Sequence, residues 1–504
     1  MSTPPLICGI DAGTSQVRAL VFGTDGTVVA SAAQPTPTRL LGSDRAELDA
    51  QGLWSSVVAV LRRVAAEVPD PKTIRSIAVA SVGEAGVLSA ADGRPLGPVI
   101  AWFDTRTRGE LDWLLAQVGF EPLHRLTGLC ADPTFSLLKL LWYKRHRPDD
   151  FAAARHWLNV GDYLAWRLCG ERATDLSLAS RTMLLDIGAG RWSGWLMERC
   201  GLPATLLPPL RPSGSRLGRI LPEIAAVTGL PDDCVVGIGG HDHVCGMIAA
   251  GADAPGVMLD SLGTAEALTL TCDRPLTDPA VGRAGFNQGV FAVEAPLYYV
   301  FGGLPTAAGA VEWFRSLYPG VGHTTLIAEA ESAAPSENVL FLPHLRLGSP
   351  PYPDPAARGA FLGLSAGTSR GALFRAVLDG IALDGAHILD TMLRLLAVQP
   401  PRRIIAIGGS TRNLLLMRLK AAAFGTPLAV LDLPDTTCLG AALLGGIAGG
   451  VFADLAEARA ALSLPVRTAA PMPEWDQRFR ERRLATYGAA YAALRPLHAR
   501  LLDG

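Results

Sequence analysis

The 504-residue chain lacks the features that would tie it to a metal scaffold, a membrane or a polyanion. Its eight cysteines are scattered and form no C-x-x-C pair. That spacing argues against a zinc site and a disulfide framework, and fits reduced thiols in a cytoplasmic protein. Neither sign of charge is in excess: 45 basic residues stand against 47 acidic ones, a formal net charge of −2. A nucleic-acid or anionic-membrane partner would leave a larger electrostatic footprint. No apolar run reaches the roughly 20 residues that a bilayer requires. The most apolar late stretch, residues 439–452, is rich in Ala and Gly and reads as a buried helix. The opening Met1-Ser2-Thr3-Pro4-Pro5 lacks the charged and apolar regions of a secretory leader. Neither G-x-x-x-x-G-K-[ST] nor G-x-G-x-x-G occurs, so any nucleotide is held by something other than a P-loop or a dinucleotide fold.

What the chain does have is apolar material, 49% of residues, over a length that implies at least two domains. Short apolar runs at 6–10, 19–22 and 28–32 are separated by Gly13-Thr14 and by the turn pair Asp25-Gly26, which predicts an antiparallel meander. A strand is expected at 74–80, with helices over 54–68 and 135–146. Near residue 240 the pattern restarts. A run at 235–238 enters Gly239-Gly240-His241-Asp242, a helix follows through 247–250, and strands at 257–259 and 267–271 flank Ser261-Leu262-Gly263-Thr264. Set beside Asp11-Ala12-Gly13-Thr14, this second strand–turn–strand unit suggests two related α/β domains facing each other, 1–248 and 249–504. Phe374, Val377, Leu378, Ile381, Ile388, Met392 and Leu395 recur at helical spacing and mark a core stripe. Strands are expected at 403–407 and 428–431 around a helix ending near Phe424, and the Pro-rich segment 345–355 reads as a surface loop.

Glycine at a strand–turn junction lets backbone N–H groups approach an anion, and a following hydroxyl adds a donor. The Gly13-Thr14 and Gly263-Thr264 turns fit this, and together they can grip a polyphosphate from both sides. Asp11 ends a buried strand just before its turn. Its position suits either a turn-initiating aspartate or a carboxylate that holds Mg²⁺ against phosphate oxygens. Asp242 opens a helix and is either an N-cap or a base that accepts a hydroxyl proton in phosphoryl transfer. His241 and His243 flank it without a third ligand cluster, so polar contacts near the substrate are expected rather than a metal site.

These segments, in order and spacing, resemble the FGGY carbohydrate kinase family almost end to end. Gly9-Ile10-Asp11-Ala12-Gly13-Thr14-Ser15 with Arg18 is similar to its first phosphate motif, and Trp102-Phe103-Asp104-Thr105-Arg106 to its W-x-D-x-R segment. Lys139-Leu140-Leu141-Trp142, Asp162-Tyr163-Leu164 and Gly240-His241-Asp242 match further family patterns. Gly408-Gly409-Ser410 with Asn413 resembles the adenosine motif. The resemblance implies two actin-like, ribonuclease-H-like domains with ATP, Mg²⁺ and a sugar or polyol in the cleft between them, and a possible homodimer. It implies Asp242 as base, Asp11 and Asp242 toward the metal, and Glu84, Trp102, Asp104, Asp242 and His243 on the substrate. Gly13, Thr14, Ser15, Arg18, Gly263 and Thr264 are then expected along the phosphates, with Gly309, Gly408, Gly409 and Asn413 around the adenosine. One departure bears on substrate. Glycerol kinases carry Arg-Glu where this chain has Gly83-Glu84, so the glycine either leaves room for a larger substrate or loses a clamp. A ketose is the expected acceptor, a glycerol- or tetritol-like polyol the alternative, and a non-catalytic ATP/sugar sensor the reading from another class.

Overall fold

The apolar run that ends at Asp11 is the central strand of a six-stranded sheet in the computed structural model, which describes residues 4–42, 44–333, 339–433 and 435–502. Met1, Ser2 and Thr3, read above for a leader, lie outside the described residues. In chain order the strands are β1 (Leu6–Ala12), β2 (Gln16–Gly23), β3 (Val28–Pro35), β4 (Ile74–Ser81), β5 (Arg216–Arg219) and β6 (Val235–His241). They lie in the order β5-β6-β4-β1-β2-β3. β1, β2 and β3 form the predicted antiparallel meander, while β4 joins β1 and β6 in parallel. The turn at Asp25-Gly26 works because Gly26 takes φ 84°, a left-handed conformation open to glycine. Helix α1 (Ala50–Glu67) begins at an Asp49 cap and buries Leu53, Trp54, Val57, Leu61 and Val64 on one stripe beneath the sheet.

The second half repeats the plan. Strands β7 (Val257–Leu262), β8 (Glu266–Cys272), β9 (Asn287–Ala292), β10 (Pro296–Leu304), β11 (Arg403–Ile407), β12 (Leu428–Leu431) and β13 (Val466–Ala469) lie in the order β9-β10-β8-β7-β11-β12-β13. Again three antiparallel strands (β10, β8, β7) are followed by two parallel ones (β11, β12). The duplication suggested by two four-residue turns is therefore a duplication of sheet topology.

Two helices link the halves. Helix α2 (Asp242–Ala250) leaves β6 and packs Val244, Cys245, Met247 and Ile248 into a core shared with Leu259, Ile405 and Ile407 of the second sheet. Helix α3 (Thr436–Ala448) comes from the second half and packs Cys438, Leu439, Ala442 and Leu443 against Ile7, Leu20 and Phe22 of the first. Its Ala/Gly composition has a steric cause. A Cβ on Gly9 would sit 1.8 Å from the Cys438 carbonyl oxygen, and one on Gly440 would sit 1.9 Å from that of Cys245. Backbones approach this closely only where one residue at the contact lacks a side chain, Gly9 on β1 in the first case and Gly440 on α3 in the second.

The stripe from Phe374 to Leu395 lies on a 27-residue helix, Arg370–Leu396, capped by Ser369 and largely buried. The segment 345–355 is an irregular, largely exposed loop as expected, but its middle turns inward. Gly348, Ser349 and Pro350 are buried there, and Ser349 Oγ donates to Asp384 of the long helix at 2.8 Å. No helix among the described residues is long and apolar enough to cross a membrane.

Candidate active site

Asp11, Asp242, Gly263 and Gly408 all stand at the carboxyl ends of parallel strands β1, β6, β7 and β11, so the two sheets turn these ends toward one cleft. Open α/β sheets bind ligands at this edge because the loops there converge without closing.

On the first sheet, the Gly13 amide donates to the Gln16 carbonyl and Thr36 Oγ1 donates to the Gly13 carbonyl, which fixes the turn. Thr14 and Ser15 remain exposed. Trp102 Nε1 donates to Thr14 Oγ1 at 2.9 Å, tying the expected sugar side of the cleft to the expected phosphate turn. Asp11 Oδ1 is buried without a hydrogen-bond partner among the described residues. Burial, followed by the charges of Asp242 and Asp435, pushes its carboxyl well above the usual carboxylate range, with Arg18 opposing. Arg18 points less toward the turn than the motif suggested. Its Nη1 donates to Asp435 at 2.6 Å, and its Nη2 lies 3.8 Å from Asp11.

Asp242 starts α2 with a side chain 24% exposed. The His243 amide donates to Asp242 Oδ1 at 2.6 Å, and His241 Nε2 lies 3.2 Å from the same oxygen. Burial and the neighbouring His243 and Arg181 hold His241 well below its usual pKa, so it faces Asp242 as a neutral ring. Burial raises the Asp242 carboxyl as well. One oxygen is thus anchored, while Oδ2 has no protein partner among the described residues. His243 stacks obliquely near Phe301, with ring centroids 5.5 Å apart.

Glu84 is held from both ends. Its backbone adopts φ 62°, rare for a residue with a side chain. Ser136 Oγ and Lys139 Nζ both donate to its carbonyl at 2.9 Å, while Arg181 Nε donates to Oε1 at 2.6 Å. Burial depresses the Lys139 ammonium to about 7, with Glu84 opposing.

Asp104, expected on the substrate, serves another purpose. It is 1% exposed, and its oxygens accept from Ala46 N, Arg106 N and the Arg106 guanidinium. No part of the carboxylate is left for a sugar. It positions the loop that carries Trp102, whose own side chain is 42% exposed.

On the second sheet, Gly263 and Thr264 are exposed, and their carbonyls accept the amides of Ala308 and of Ala307 and Gly309. Gly309 therefore touches the turn directly. Gly408 takes φ 101°, and a Cβ there would lie 2.4 Å from the Leu262 carbonyl oxygen, so it closes the same floor. Gly409 faces open space, and Asn413 Oδ1 caps the helix Leu414–Phe424. The structure thus brings Gly263, Thr264, Gly309 and Gly408 together, with Gly409 and Asn413 beside them.

Two residues of this site were not singled out from sequence. Arg181 directly follows the short helix Leu176–Ser180, and Asp435 caps α3 by accepting the Cys438 amide.

With that geometry in place, comparison with known proteins is decisive. The model of the FGGY family of carbohydrate kinases matches through its N-terminal domain over residues 6–249 and through its C-terminal domain over residues 258–449. The chain belongs to this family. It is 32% identical to a glycerol kinase of Gloeobacter violaceus over 468 residues, 90% of each chain. It is also 30% identical to an L-fuculokinase of Escherichia coli O157:H7, covering 93% of this chain and 98% of that one. Among solved structures, a xylulose kinase from Rhodospirillum rubrum superposes with a TM-score of 0.89 at 29% identity, covering 98% of this chain and all of the other. The fold is accordingly that of the actin-like sugar kinases, and the chain is a carbohydrate kinase that uses ATP as phosphate donor. Its relatives act on different acceptors.

Proposed function

We propose that this kinase transfers the γ-phosphoryl group of ATP to a hydroxyl of a ketose, with Asp242 as the base. The observation that carries the reading is the asymmetry of Asp242. Oδ1 accepts the His243 amide and faces neutral His241 at 3.2 Å, while Oδ2 has no protein partner among the described residues. A carboxylate so held accepts the acceptor hydroxyl's proton as the oxygen attacks phosphorus. The loose transition state of phosphoryl transfer asks for a well-placed base more than a strong one.

In this reading residues 1–248 supply the sugar site and base, and residues 249–504 the nucleotide site. The turns at Gly13-Thr14-Ser15 and Gly263-Thr264 present N–H and hydroxyl donors to the phosphates from opposite sides, and Gly309, Gly408, Gly409 and Asn413 border the adenosine. Glu84, Trp102 and His243 line the sugar. Among the described residues no group of three or more His, Cys, Asp or Glu side chains is arranged to hold a metal ion alone. Mg²⁺ characteristically takes one or two carboxylates and completes its shell with phosphate oxygens and water. The unpartnered Oδ1 of Asp11, crowded by the charges of Asp242 and Asp435, fits that demand. The ion, when bound, offsets charge on the phosphates.

A polyol acceptor is the second reading, supported by the identity with glycerol kinases and by a guanidinium that still meets Glu84, although from position 181. The test is ADP release from Mg-ATP against a panel of ketoses, polyols, aldoses and sugar acids. A strong ketose response is expected; a polyol as best acceptor selects the second reading. Silence across the panel, with ATP binding intact, would displace catalysis in favour of a sensor.

A further inference from the structure

Two side chains stand where a side chain of residue 83 would be. A Cβ built on Gly83 lies 2.9 Å from Arg181 Cγ and 2.9 Å from His241 Cδ2. The glycine therefore leaves no void for a larger substrate; the protein itself fills the space. His241 uses that space to reach Asp242. Arg181 uses it to reach Glu84, bringing a guanidinium from the end of the short helix Leu176–Ser180 to a carboxylate almost a hundred residues earlier in the chain.

The Arg181 side chain is 8% exposed, and its guanidinium carbon lies 5.3 Å from the centre of the Phe135 ring. Guanidinium carries five N–H groups in a rigid planar fork, and only Nε is used here, on Glu84 Oε1. Nη1 and Nη2 have no hydrogen-bond partner among the described residues, yet neither is among the atoms sealed from solvent. Leaving such donors unpaired in a nearly buried pocket is costly unless something arrives to meet them.

We propose that Arg181 is a substrate-contacting, specificity-determining residue, whose Nε edge fixes Glu84 and whose Nη edge donates to an oxygen of a neutral ketose or polyol. This rests on the kinase reading above and adds which side chain selects the acceptor and that the acceptor carries no charge. The acceptor is neutral because Glu84 already balances the guanidinium. The other cation nearby, Lys139, is sealed against the Glu84 carbonyl, so no positive charge is left over for a sugar acid.

The experiment compares the wild-type enzyme, Arg181→Lys and Gly83→Ala on the acceptor panel, reading KM for acceptor, KM for ATP and kcat separately. Lysine can keep the pair with Glu84 but cannot also serve the acceptor. Loss of one charge-assisted hydrogen bond is expected to raise the acceptor KM roughly 10- to 100-fold while leaving the ATP KM unchanged. Gly83→Ala removes no polar group, but its methyl meets Arg181 Cγ and must displace it, so the acceptor KM should move the same way. If Arg181→Lys also loses ATP binding, the alanine variant decides. An active wild type whose variants keep the acceptor KM and the ranking of the panel overturns the assignment of Arg181 and leaves the kinase reading standing. A sugar acid as the best acceptor overturns the neutral class. A wild type silent on every acceptor removes both readings together.

Discussion

At the end of β1 the first strand–turn unit leaves Asp11 with a buried oxygen that has no hydrogen-bond partner among the described residues, within reach of the charge of Asp242. At the matching place in β7 stands Ser261. The acidic residues of the two strands flanking that turn, Asp260 and Glu266, surround Lys420 instead, at 3.2 and 2.6 Å, and all three are fully buried. Successive residues of a strand point to opposite faces, so moving the acid by one position transfers its charge from the cleft to the core. The two halves share a sheet topology and differ in where they keep charge. In the proposed reading, the first half holds a carboxylate in reserve for a ligand, while the second gathers its buried acids around a lysine and presents backbone and hydroxyl groups to the nucleotide.

That contrast makes opposite predictions for activity and stability. Asp242→Asn should lower kcat by roughly 10²- to 10⁴-fold, the usual worth of a positioned base, with nucleotide affinity retained in a direct binding measurement. Asp11→Asn should also lose activity, yet its denaturation midpoint should stay level or rise. Its raised pKa means that the folded protein disfavours the charged form of this carboxylate, which an amide does not have to adopt. A marked loss of stability in Asp11→Asn would show that the carboxylate supports the fold and would break the contrast.

Lys420→Met should do the reverse. It leaves two buried carboxylates without their cation and should cost about 3–5 kcal/mol in chemical denaturation. Under conditions where the variant stays folded, its acceptor KM should be unchanged. The same cluster also gives a pH signature. Burial, and then the charge of Asp260, push the Glu266 carboxyl up to about 8, with Lys420 opposing. A folded pKa raised above the unfolded one means a stabilising contribution that is complete below the ordinary glutamate range and lost as pH rises through about 8. The denaturation midpoint should therefore fall from pH 6 to pH 9, and Glu266→Gln, which stays neutral, should flatten that slope. An equal slope in the variant would assign the pH dependence to other groups.

The sheet meanders, the helix stripes and the Gly-Thr turns were legible because each is a local pattern: alternation, 3.6-residue spacing, or a glycine at a strand end. The place of Asp242 at the start of a helix was legible because a glycine pair closes the strand before it. What stayed hidden depends on contacts between distant segments. Arg181 reaches Glu84 across 97 positions and Arg18 reaches Asp435 across 417, with no local signal at either end. Asp104 misled for the complementary reason. A carboxylate next to Trp102 reads as a ligand until Arg106 and the Ala46 amide are seen to occupy it. Gly83 was read as an absence, and only the packing of Arg181 and His241 around it shows that the glycine is a requirement.

The smallest expected effect is also the most discriminating for the two turns. Thr14 and Thr264 occupy equivalent places, and each exposes a hydroxyl at the cleft. Thr14 Oγ1 also accepts the indole N–H of Trp102, whereas no such link to the acceptor side is present at Thr264 among the described residues. Replacing either by valine keeps the side chain's shape and removes one hydrogen bond made at a solvent-exposed turn, worth about 0.5–1.5 kcal/mol, so the ATP KM should rise roughly 2- to 10-fold in both. The acceptor KM should separate them. Thr14→Val frees Trp102 and should raise it, with a change in the fluorescence of that exposed indole, while Thr264→Val should leave it alone. Equal effects of the two variants on the acceptor KM would mean that the coupling between sugar and phosphate passes through closure of the whole cleft, and that the Trp102–Thr14 bond is incidental to it.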